Sequence, residues 1–348
     1  MYQSIRPGQV WRDTEGKRIQ AHAGAIHYED GTYYWYGENK EFTDGQTKTW
    51  TYGIRCYSSK DFYNWKDEGL IIEPNMENKK HPLHPTRHAE RPHIIYNEKT
   101  KKYVCWIKEP EKAFCILVAD GILGPYTMIN ENYKPMGKAA GDFDIAKDEK
   151  TGKVYIYFSC QRECTYIMEL EEDYLSVKPK YKTLYEELHP PFIREGLAHL
   201  EVDGCHYLFS SGMTGYVPNP SQVAKADTPM GEYTEIGNPH VDDESCASFN
   251  SQISYVFKHP EKENFYVALA DRWIPDYPMT KEKYEWFCRV IGSNYNRKKY
   301  KSTIKEKIEL MKTPMMANVN TSISDYVWLP IEIENGMPKI RWQDEWKV

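Results

Sequence analysis

Four polar residues recur at nearly even intervals along this chain, and their side chains are of the types that acid–base chemistry uses. They are Glu90, Asp142, Glu195 and Gln252, separated by 52, 53 and 57 residues. Three carboxylates crowded into one partly dry pocket repel one another and lose solvation, so the pKa of at least one should rise and that group can act as a general acid near neutral pH. If the fold brings the four residues together, the chemistry they favour is hydrolysis.

Each of these residues taken alone has a simpler interpretation, as an ordinary polar residue in a solvated loop at the start of a strand. The common spacing favours a shared site. Other catalytic patterns are weaker, because the chain has no Gly-x-Ser-x-Gly motif and the Ser-rich stretch 209–215 has no nearby His-Asp framework. Four histidines surround Glu90 in a Pro-rich stretch that lacks the spacing and Cys partners of a metal site: His81, His84, His88 and His93.

The elements that must position the four residues also repeat. A turn followed by alternating aromatic and aliphatic residues occurs five times, first as "EDGTYYWYGE" (29–38), with marker residues Tyr34, Tyr103, Tyr155, Tyr207 and Tyr266. The steps between markers are 69, 52, 52 and 59 residues. A unit of about 50 residues that contains several short strands is typical of a propeller blade. We therefore predict an all-β, five-bladed β-propeller that forms one domain over residues 1–348.

The rest of the chain is consistent with this fold. Residues 324–342 read as a hairpin that would complete the last blade, and the only predicted helix lies within 299–314, as an excursion from blade five. A β-sandwich is the alternative, but its strands would not repeat at this length. In a propeller the innermost strands start at one end of the central channel, so polar residues upstream of each module should converge there. Module one is preceded by Gln20 and His22, and module three also by Asp144.

Composition narrows the class of partner. The formal net charge of -6 argues against nucleic acid and against an anionic membrane surface. No apolar run approaches the roughly 18 residues of a membrane span. The first residues contain no apolar signal-peptide core, which favours a cytoplasmic protein unless a leader has been removed. The eight cysteines are spread singly along the chain, and we expect them to be reduced thiols rather than ligands of a zinc site. The 28 tyrosines suit strands with one solvent-exposed face, and they also suit sugar binding.

Several motifs, taken in their order, resemble glycoside hydrolase family 43, and more narrowly its branch of exo-β-1,3-galactanases. The motifs extend over essentially the whole chain and comprise residues 13–38, "AERPHIIYN" (89–97), 141–160, 194–219, "NSQISYV" (250–256), "DRW" (271–273) and "YVWLPIEI" (326–333). The resemblance implies a five-bladed propeller and an inverting glycosidase. It also implies roles that the spacing leaves open.

By this resemblance Glu195 is the general acid, and Asp142 is the residue that tunes the pKa of the acid and holds the sugar, with Asp144 as the alternative. Most of the family has an Asp general base at the start of blade one, where this chain reads "QAHAGAI" (20–26). The galactanase branch shares that departure, and there a Gln is proposed to activate water as an imidic acid. Gln252 matches this Gln, and Glu90 matches a carboxylate thought to bind the terminal sugar and assist. In the carboxylate version of an inverting site the two groups are about 6.5–9.5 Å apart.

A further set of residues is predicted to shape the substrate site: Glu38, His22, Thr214, Tyr216, Asn219, Arg272 and Trp273. We expect an oligosaccharide substrate, no metal site and no obligatory cofactor. The leading functional hypothesis is an exo-acting, inverting enzyme for β-1,3-linked galactose in galactan or arabinogalactan-derived oligosaccharides. An α-L-arabinofuranosidase or β-xylosidase of the same family is the first alternative, although these usually have the blade-one Asp. A catalytically inactive sugar-binding propeller is the second.

Overall fold

The computed structural model describes residues 1–109, 111–160, 163–314 and 319–348. The strands of these residues form five antiparallel four-stranded sheets, arranged as a five-bladed β-propeller. The predicted fold class is therefore confirmed. Each sheet is built from four strands that follow one another in the chain, so every blade is a simple meander.

The strands of the first three blades are β1 (His22–Glu29), β2 (Thr32–Glu38), β3 (Ile54–Ser59) and β4 (Lys66–Ile72); β5 (Glu90–Asn97), β6 (Lys102–Glu109), β7 (Ala113–Ala119) and β8 (Thr127–Tyr133); and β9 (Phe143–Lys147), β10 (Val154–Cys160), β11 (Cys164–Leu170) and β12 (Val177–Leu184). Those of the last two are β13 (Arg194–Val202), β14 (Cys205–Gly212), β15 (Gln222–Ala226) and β16 (Thr234–Gly237); and β17 (Gln252–Lys258), β18 (Tyr266–Arg272), β19 (Asp325–Glu334) and β20 (Met337–Ile340).

The first strands of neighbouring blades contact one another in a closed ring, β1–β5–β9–β13–β17, and so surround the central channel. The second and third strands lie between two blades, and the apolar runs of β7 and β10 are accordingly buried almost throughout. The outer strand β8 is largely exposed and polar. Burial on both faces explains why the middle strands have continuous apolar runs, whereas the outer strands contain charged residues.

Among the described residues between β18 and β19 there are two helices, α1 (Lys281–Gly292) and α2 (Ile304–Met311). The predicted helix at 299–314 contains α2, which begins at the capping box of Thr303 and Glu306. Helix α1 was not predicted from the sequence, although Phe287 and Ile291 are buried at helical spacing. Its aromatic and β-branched content resembles that of the strands. The hairpin predicted at 324–342 is confirmed as β19 and β20.

The two ends of the chain meet beside blades one and five. Ile5 and Trp346 exchange backbone hydrogen bonds of 2.9 and 3.0 Å. Nearby, Trp11, Trp35 and Trp328 pack with ring centroids 4.4 to 5.6 Å apart. This aromatic cluster joins the first blade to the last. None of the helices in the described ranges has the length and apolar character that crossing a membrane requires.

Candidate active site

A cavity opens where the innermost strands begin. Its volume of about 410 Å³ is within the usual size range of small-ligand sites. All four evenly spaced residues line it. The lining also includes Ala23, Glu38, Trp50, His88, Arg91, Lys108, Tyr216 and Trp273. The periodic spacing of the sequence therefore does bring Glu90, Asp142, Glu195 and Gln252 together.

A repeated backbone bulge sets the start of the innermost strand in three blades. The residue after each strand-start position has a left-handed conformation, with φ of 46°, 53° and 61° at Ala23, Arg91 and Gly196. The pairing register shifts at each of these points. The three N–H groups donate to carboxylates of the preceding blade, at 2.9, 3.0 and 3.0 Å, on Asp271, Glu38 and Asp142. Each bulge thus fixes a carboxylate of its neighbour.

The second strand of a blade contributes the residue opposite each strand start. Lys108 pairs with Glu90, and Ser211 pairs with Glu195. In the same way Glu38 lies opposite His22, and Asp271 lies opposite Gln252. These cross-strand pairs lie at the cavity end of their blades, where their close approach lets their side chains interact.

Glu195 has the electrostatic environment of a general acid. Burial raises the pKa of its carboxyl to about 8, and the negative charge of Asp142 adds to the effect against the opposing charges of Lys108 and Arg91. Among the described residues, no side chain or N–H group donates a hydrogen bond to this carboxyl that would stabilise its charged form. Glu195 therefore keeps its proton at neutral pH.

Asp142 and Glu90 share the same cavity but are held as anions. Burial alone would raise the pKa of both carboxyls, but Arg91 and Lys108 hold the pKa of Asp142 well below its usual range, and Lys108 and Lys40 lower that of Glu90. The Lys108 ammonium lies between them, 2.6 Å from Glu90 Oε2 and 2.9 Å from Asp142 Oδ1. Of these three carboxyl groups one is thus neutral and two are ionised, a separation typical of glycosidase sites.

Glu38 supports the wall next to Glu90. It is 2% exposed, and its Oε2 lies 2.7 Å from Lys40 Nζ. Burial raises the pKa of Glu38 despite the opposing charge of Lys40. Because Glu38 Oε1 also accepts the N–H of Arg91, this predicted substrate-site residue both lines the cavity and fixes the second bulge.

Gln252 is held at both ends of its amide. Its Oε1 accepts a hydrogen bond of 3.0 Å from Arg91 Nη2 and one of 3.3 Å from Trp273 Nε1. Its Nε2 donates to Ser211 Oγ at 2.8 Å. This pattern fits the ordinary amide, because the O–H of an imidic acid would face two N–H donors. The second N–H of Gln252 has no partner among the described residues and can donate to a ligand or a water molecule.

Aromatic rings form the mouth of the cavity. The Trp50 ring stacks on His88 at 3.8 Å, and its Nε1 donates to Glu90 Oε1 at 2.7 Å. The Tyr216 ring lies 5.8 Å from Trp50 and 5.3 Å from Trp273. Together they offer apolar faces beside the carboxyl groups, an arrangement suited to a ring that is apolar on one side and hydroxylated on the other.

Four residues of the predicted substrate set do not line this cavity. His22 is fully buried between Asp271 and Tyr326, and Arg272 donates to the carbonyl of Phe249. Thr214 and Asn219 bond to each other and to the backbone of the loop that carries Tyr216. Their hydrogen bonds lie within the protein, so their geometry suits positioning of the loop and floor rather than contact with a ligand.

Asp144, the alternative to Asp142, also lies outside the cavity lining. It is 1% exposed, binds His93 at 2.9 Å and accepts the N–H of His199 at 2.7 Å. Of the two aspartates, Asp142 is the one placed beside Glu195 and Lys108. The histidines of the Pro-rich stretch have different partners, since His84 contacts Thr86 whereas His88 stacks on Trp50.

Sequence reasoning missed the cations of the site. Arg91 adjoins Glu90, and strict strand alternation would point these neighbours to opposite faces. The left-handed conformation of Arg91 instead lets both reach the cavity. Lys108 could be found by counting back across the β5–β6 hairpin, but the bulge shifts that count by one residue and would select Glu109. Trp50 and Lys40 lie in a loop, where no periodicity marks them.

Comparison with known proteins identifies the family of the chain. The family model of "Glycosyl hydrolases family 43" matches residues 25–283. Two solved family 43 β-1,3-galactosidases are 29% and 26% identical, with TM-scores of 0.78 and 0.77; both alignments cover 99% of this chain, and 63% and 100% of the relatives. An exo-β-1,3-galactanase from Phanerochaete chrysosporium, solved with galactose, is 22% identical, with a TM-score of 0.77. The alignment covers 99% of this chain and 68% of the galactanase chain, and at this identity it supports the fold alone. No curated protein sequence matches the chain significantly.

The first of these relatives is longer than the present chain, which spans 63% of it. The family match, by contrast, extends over well more than half of this chain and includes all four strand-start residues. The predicted family is thereby confirmed: this protein belongs to glycosyl hydrolases family 43 and is a glycoside hydrolase.

Proposed function

We propose that the protein is an exo-acting, inverting β-1,3-galactosidase that removes terminal galactose from galactan or arabinogalactan-derived oligosaccharides. The observation that carries the proposal is the contrast between Glu195, whose pKa is raised to about 8, and the ionised Asp142 and Glu90 in the same cavity. A protonated carboxyl beside ionised ones is the requirement for acid-catalysed cleavage of a glycosidic bond.

In this mechanism Glu195 donates its proton to the glycosidic oxygen as the bond between that oxygen and C1 of the terminal sugar breaks. A water molecule attacks C1 from the opposite face and loses a proton, which leaves an α-configured galactose and a shortened oligosaccharide. Burial and the negative charge of Asp142 keep the pKa of Glu195 high, and Asp142 is itself held by Lys108 and Gly196. The positive charge that develops on the sugar is stabilised by the ionised carboxylates.

Two groups are available to act on the water. The carboxylate of Glu90 is the stronger base of the two, although Lys108 and Trp50 engage its oxygens. The amide of Gln252 is a weak base whose oxygen is already bound by Arg91 and Trp273, so its free N–H suits orienting a water molecule or a sugar hydroxyl. We therefore assign Gln252 a positioning role and leave proton acceptance to Glu90.

The preference for galactose rests on the resemblance to the two β-1,3-galactosidases and on the cavity walls. Trp50, Tyr216 and Trp273 line the cavity and offer ring faces to a terminal sugar. The start of blade one, "QAHAGAI" (20–26), has no Asp, as expected for this branch.

Hydrolysis of β-1,3-galactobiose compared with nitrophenyl α-L-arabinofuranoside and β-D-xyloside tests the proposal. We expect turnover of the galactobiose to exceed that of either nitrophenyl glycoside by at least about tenfold. In Glu195→Gln, kcat should fall by roughly 10² to 10⁴ while calorimetry still detects galactose binding. A higher rate on the arabinoside or xyloside would reassign the sugar. Near-normal turnover by Glu195→Gln would remove Glu195 from the mechanism.

A further inference from the structure

A second cluster of ionisable side chains lies at the far ends of the strands that form the active site. Asp148 follows β9, Glu201 is the penultimate residue of β13, and His206 is the second residue of β14. Glu195 lies at the other end of β13, and six strand residues span about 20 Å. The cluster is thus on the opposite face of the propeller, between blades three and four.

The three side chains converge on one point from three different segments. One ligating atom from each of Asp148, Glu201 and His206 lies within 4.8 Å of the other two. The residues are 4%, 8% and 2% exposed. Glu201 and His206 are cross-strand partners, and their side chains therefore share the face of blade four that meets blade three.

One nitrogen in the cluster has no hydrogen bond among the described groups. His206 Nε2 lies 3.6 Å from Asp148 Oδ1, which is too long for a hydrogen bond, and no other described group pairs with this nitrogen. The opposite nitrogen, Nδ1, is 3.1 Å from His199 Nε2. The contact at Nδ1 leaves His206 Nε2 facing Asp148 and Glu201.

The charges in the cluster are poorly balanced. The N–H of Glu149 donates to Glu201 Oε2 at 2.8 Å, which brings the Glu149 side chain into the same region. Lys258 pairs with the more exposed Glu149 and not with the two buried carboxylates. An imidazole nitrogen without a hydrogen bond and two carboxylates, all on buried residues that converge on one point, favour binding of a cation.

We propose that Asp148, Glu201 and His206 bind a divalent transition-metal ion of the Zn²⁺ type, which links blade three to blade four. One imidazole and two carboxylates are a donor set that Zn²⁺ accepts. The 3.6 Å between His206 Nε2 and Asp148 Oδ1 is close to the edge of a tetrahedron with bonds of about 2.1 Å, which is roughly 3.4 Å. The contact to His199 supplies the outer hydrogen bond that orients metal-binding imidazoles.

The direct test is calorimetric titration of the chelator-treated full chain with ZnCl₂, repeated with MnCl₂ and CaCl₂. We expect one Zn²⁺ per chain, tighter binding of Zn²⁺ than of Ca²⁺, and a rise in Tm on addition of Zn²⁺. His206→Gln and Glu201→Gln should each weaken Zn²⁺ binding at least tenfold. His240→Gln removes another buried imidazole, whose Nδ1 faces Asn238, and should leave binding unchanged.

Two results would overturn the proposal. One is the absence of stoichiometric binding of all three ions by the unsubstituted protein, which would make the cluster a metal-free hydrogen-bond network. The other is equal Zn²⁺ affinity in the unsubstituted protein and in both His206→Gln and Glu201→Gln. A separate measurement tests whether the ion links the two blades. Chelation should lower Tm while kcat at 25 °C stays within about twofold. An unchanged Tm with a large loss of kcat would contradict the linking role.

Discussion

At the level of single residues, the site depends on how one cavity gives similar groups different protonation states. Glu195 and Asp142 are both buried carboxyls, yet the pKa of the first is raised to about 8 and that of the second is well below its usual range. The difference comes from Lys108 and Arg91, which contact Asp142 directly. Without these cations, two adjacent buried carboxyls would compete for one proton.

The pH profile should report this coupling. Glu195 acts while protonated, so kcat/KM should fall as pH rises through about 8. In Asp142→Asn the neighbouring negative charge is lost and ionisation of Glu195 becomes easier, so the basic limb should move to lower pH by about one unit. The basic limb is measured from kcat/KM of both enzymes between pH 5 and 9.

Asp173→Asn is the control for that shift, because Asp173 is exposed on the same blade. Its limb should coincide with that of the unsubstituted enzyme. A limb that stays at the same pH in Asp142→Asn, or moves upward, would show that Asp142 does not set the pKa of Glu195.

At the level of elements, the bulges decide which side chains reach the cavity. The period of the repeats was enough to predict Glu90, Asp142, Glu195 and Gln252, because propeller geometry repeats at the starts of the inner strands. Arg91 and Lys108 could not be predicted in this way, since the bulge breaks both the alternation of β5 and its register with β6. A left-handed Arg in a strand has no sequence signal of its own.

Gly196 tests the bulge of blade four. Its φ is +61°, and an added Cβ would lie 2.8 Å from Ser211 Oγ and 2.9 Å from Gln252 Nε2. Gly196→Ala should therefore displace Gln252 and the adjacent Glu195, and lower kcat by at least about tenfold. Steady-state kinetics on β-1,3-galactobiose and thermal unfolding should be measured together.

Gly204 provides a matched control in the turn between the same two strands. Its φ is +73°, and nothing lies within 4 Å of an added Cβ. Gly204→Ala should share the left-handed strain of about 1–2 kcal/mol, and so the loss of stability, but retain kcat. Equal kcat in the two variants would mean that the bulge does not position the catalytic groups.

At the level of the whole molecule, the repeats in the sequence predicted the five-bladed architecture but did not predict helix α1. Five modules near 50 residues indicate five blades because each module must form a sheet that buries both faces between neighbours. Helix α1 was missed because Tyr284, Trp286 and Phe287 also suit a strand, and its helical conformation depends on packing against Val217 and Ala247. That packing joins the helical excursion to the loop that carries Tyr216.

The raised pKa of Glu195 should lower the stability of the folded protein as pH rises. The folded protein holds the proton of Glu195 up to about pH 8, whereas the unfolded chain releases it near the ordinary value of 4.5. Folding is therefore weakened as pH rises between these values, and the loss is constant above them. Glu195→Gln lacks this penalty, so its Tm should exceed that of the unsubstituted protein by an amount that grows from pH 5 to 8, to roughly 5 °C. Parallel Tm curves across this range would contradict a raised pKa.

The measurement that tests the central claim most directly is the configuration of the first product. Unsubstituted enzyme added to β-1,3-galactobiose should release α-galactose first, seen by ¹H NMR of the anomeric protons before mutarotation, with Glu195→Gln as the inactive control. Release of β-galactose first would contradict single displacement by water at the Glu195 site, and no hydrolysis of the disaccharide would contradict the proposed activity.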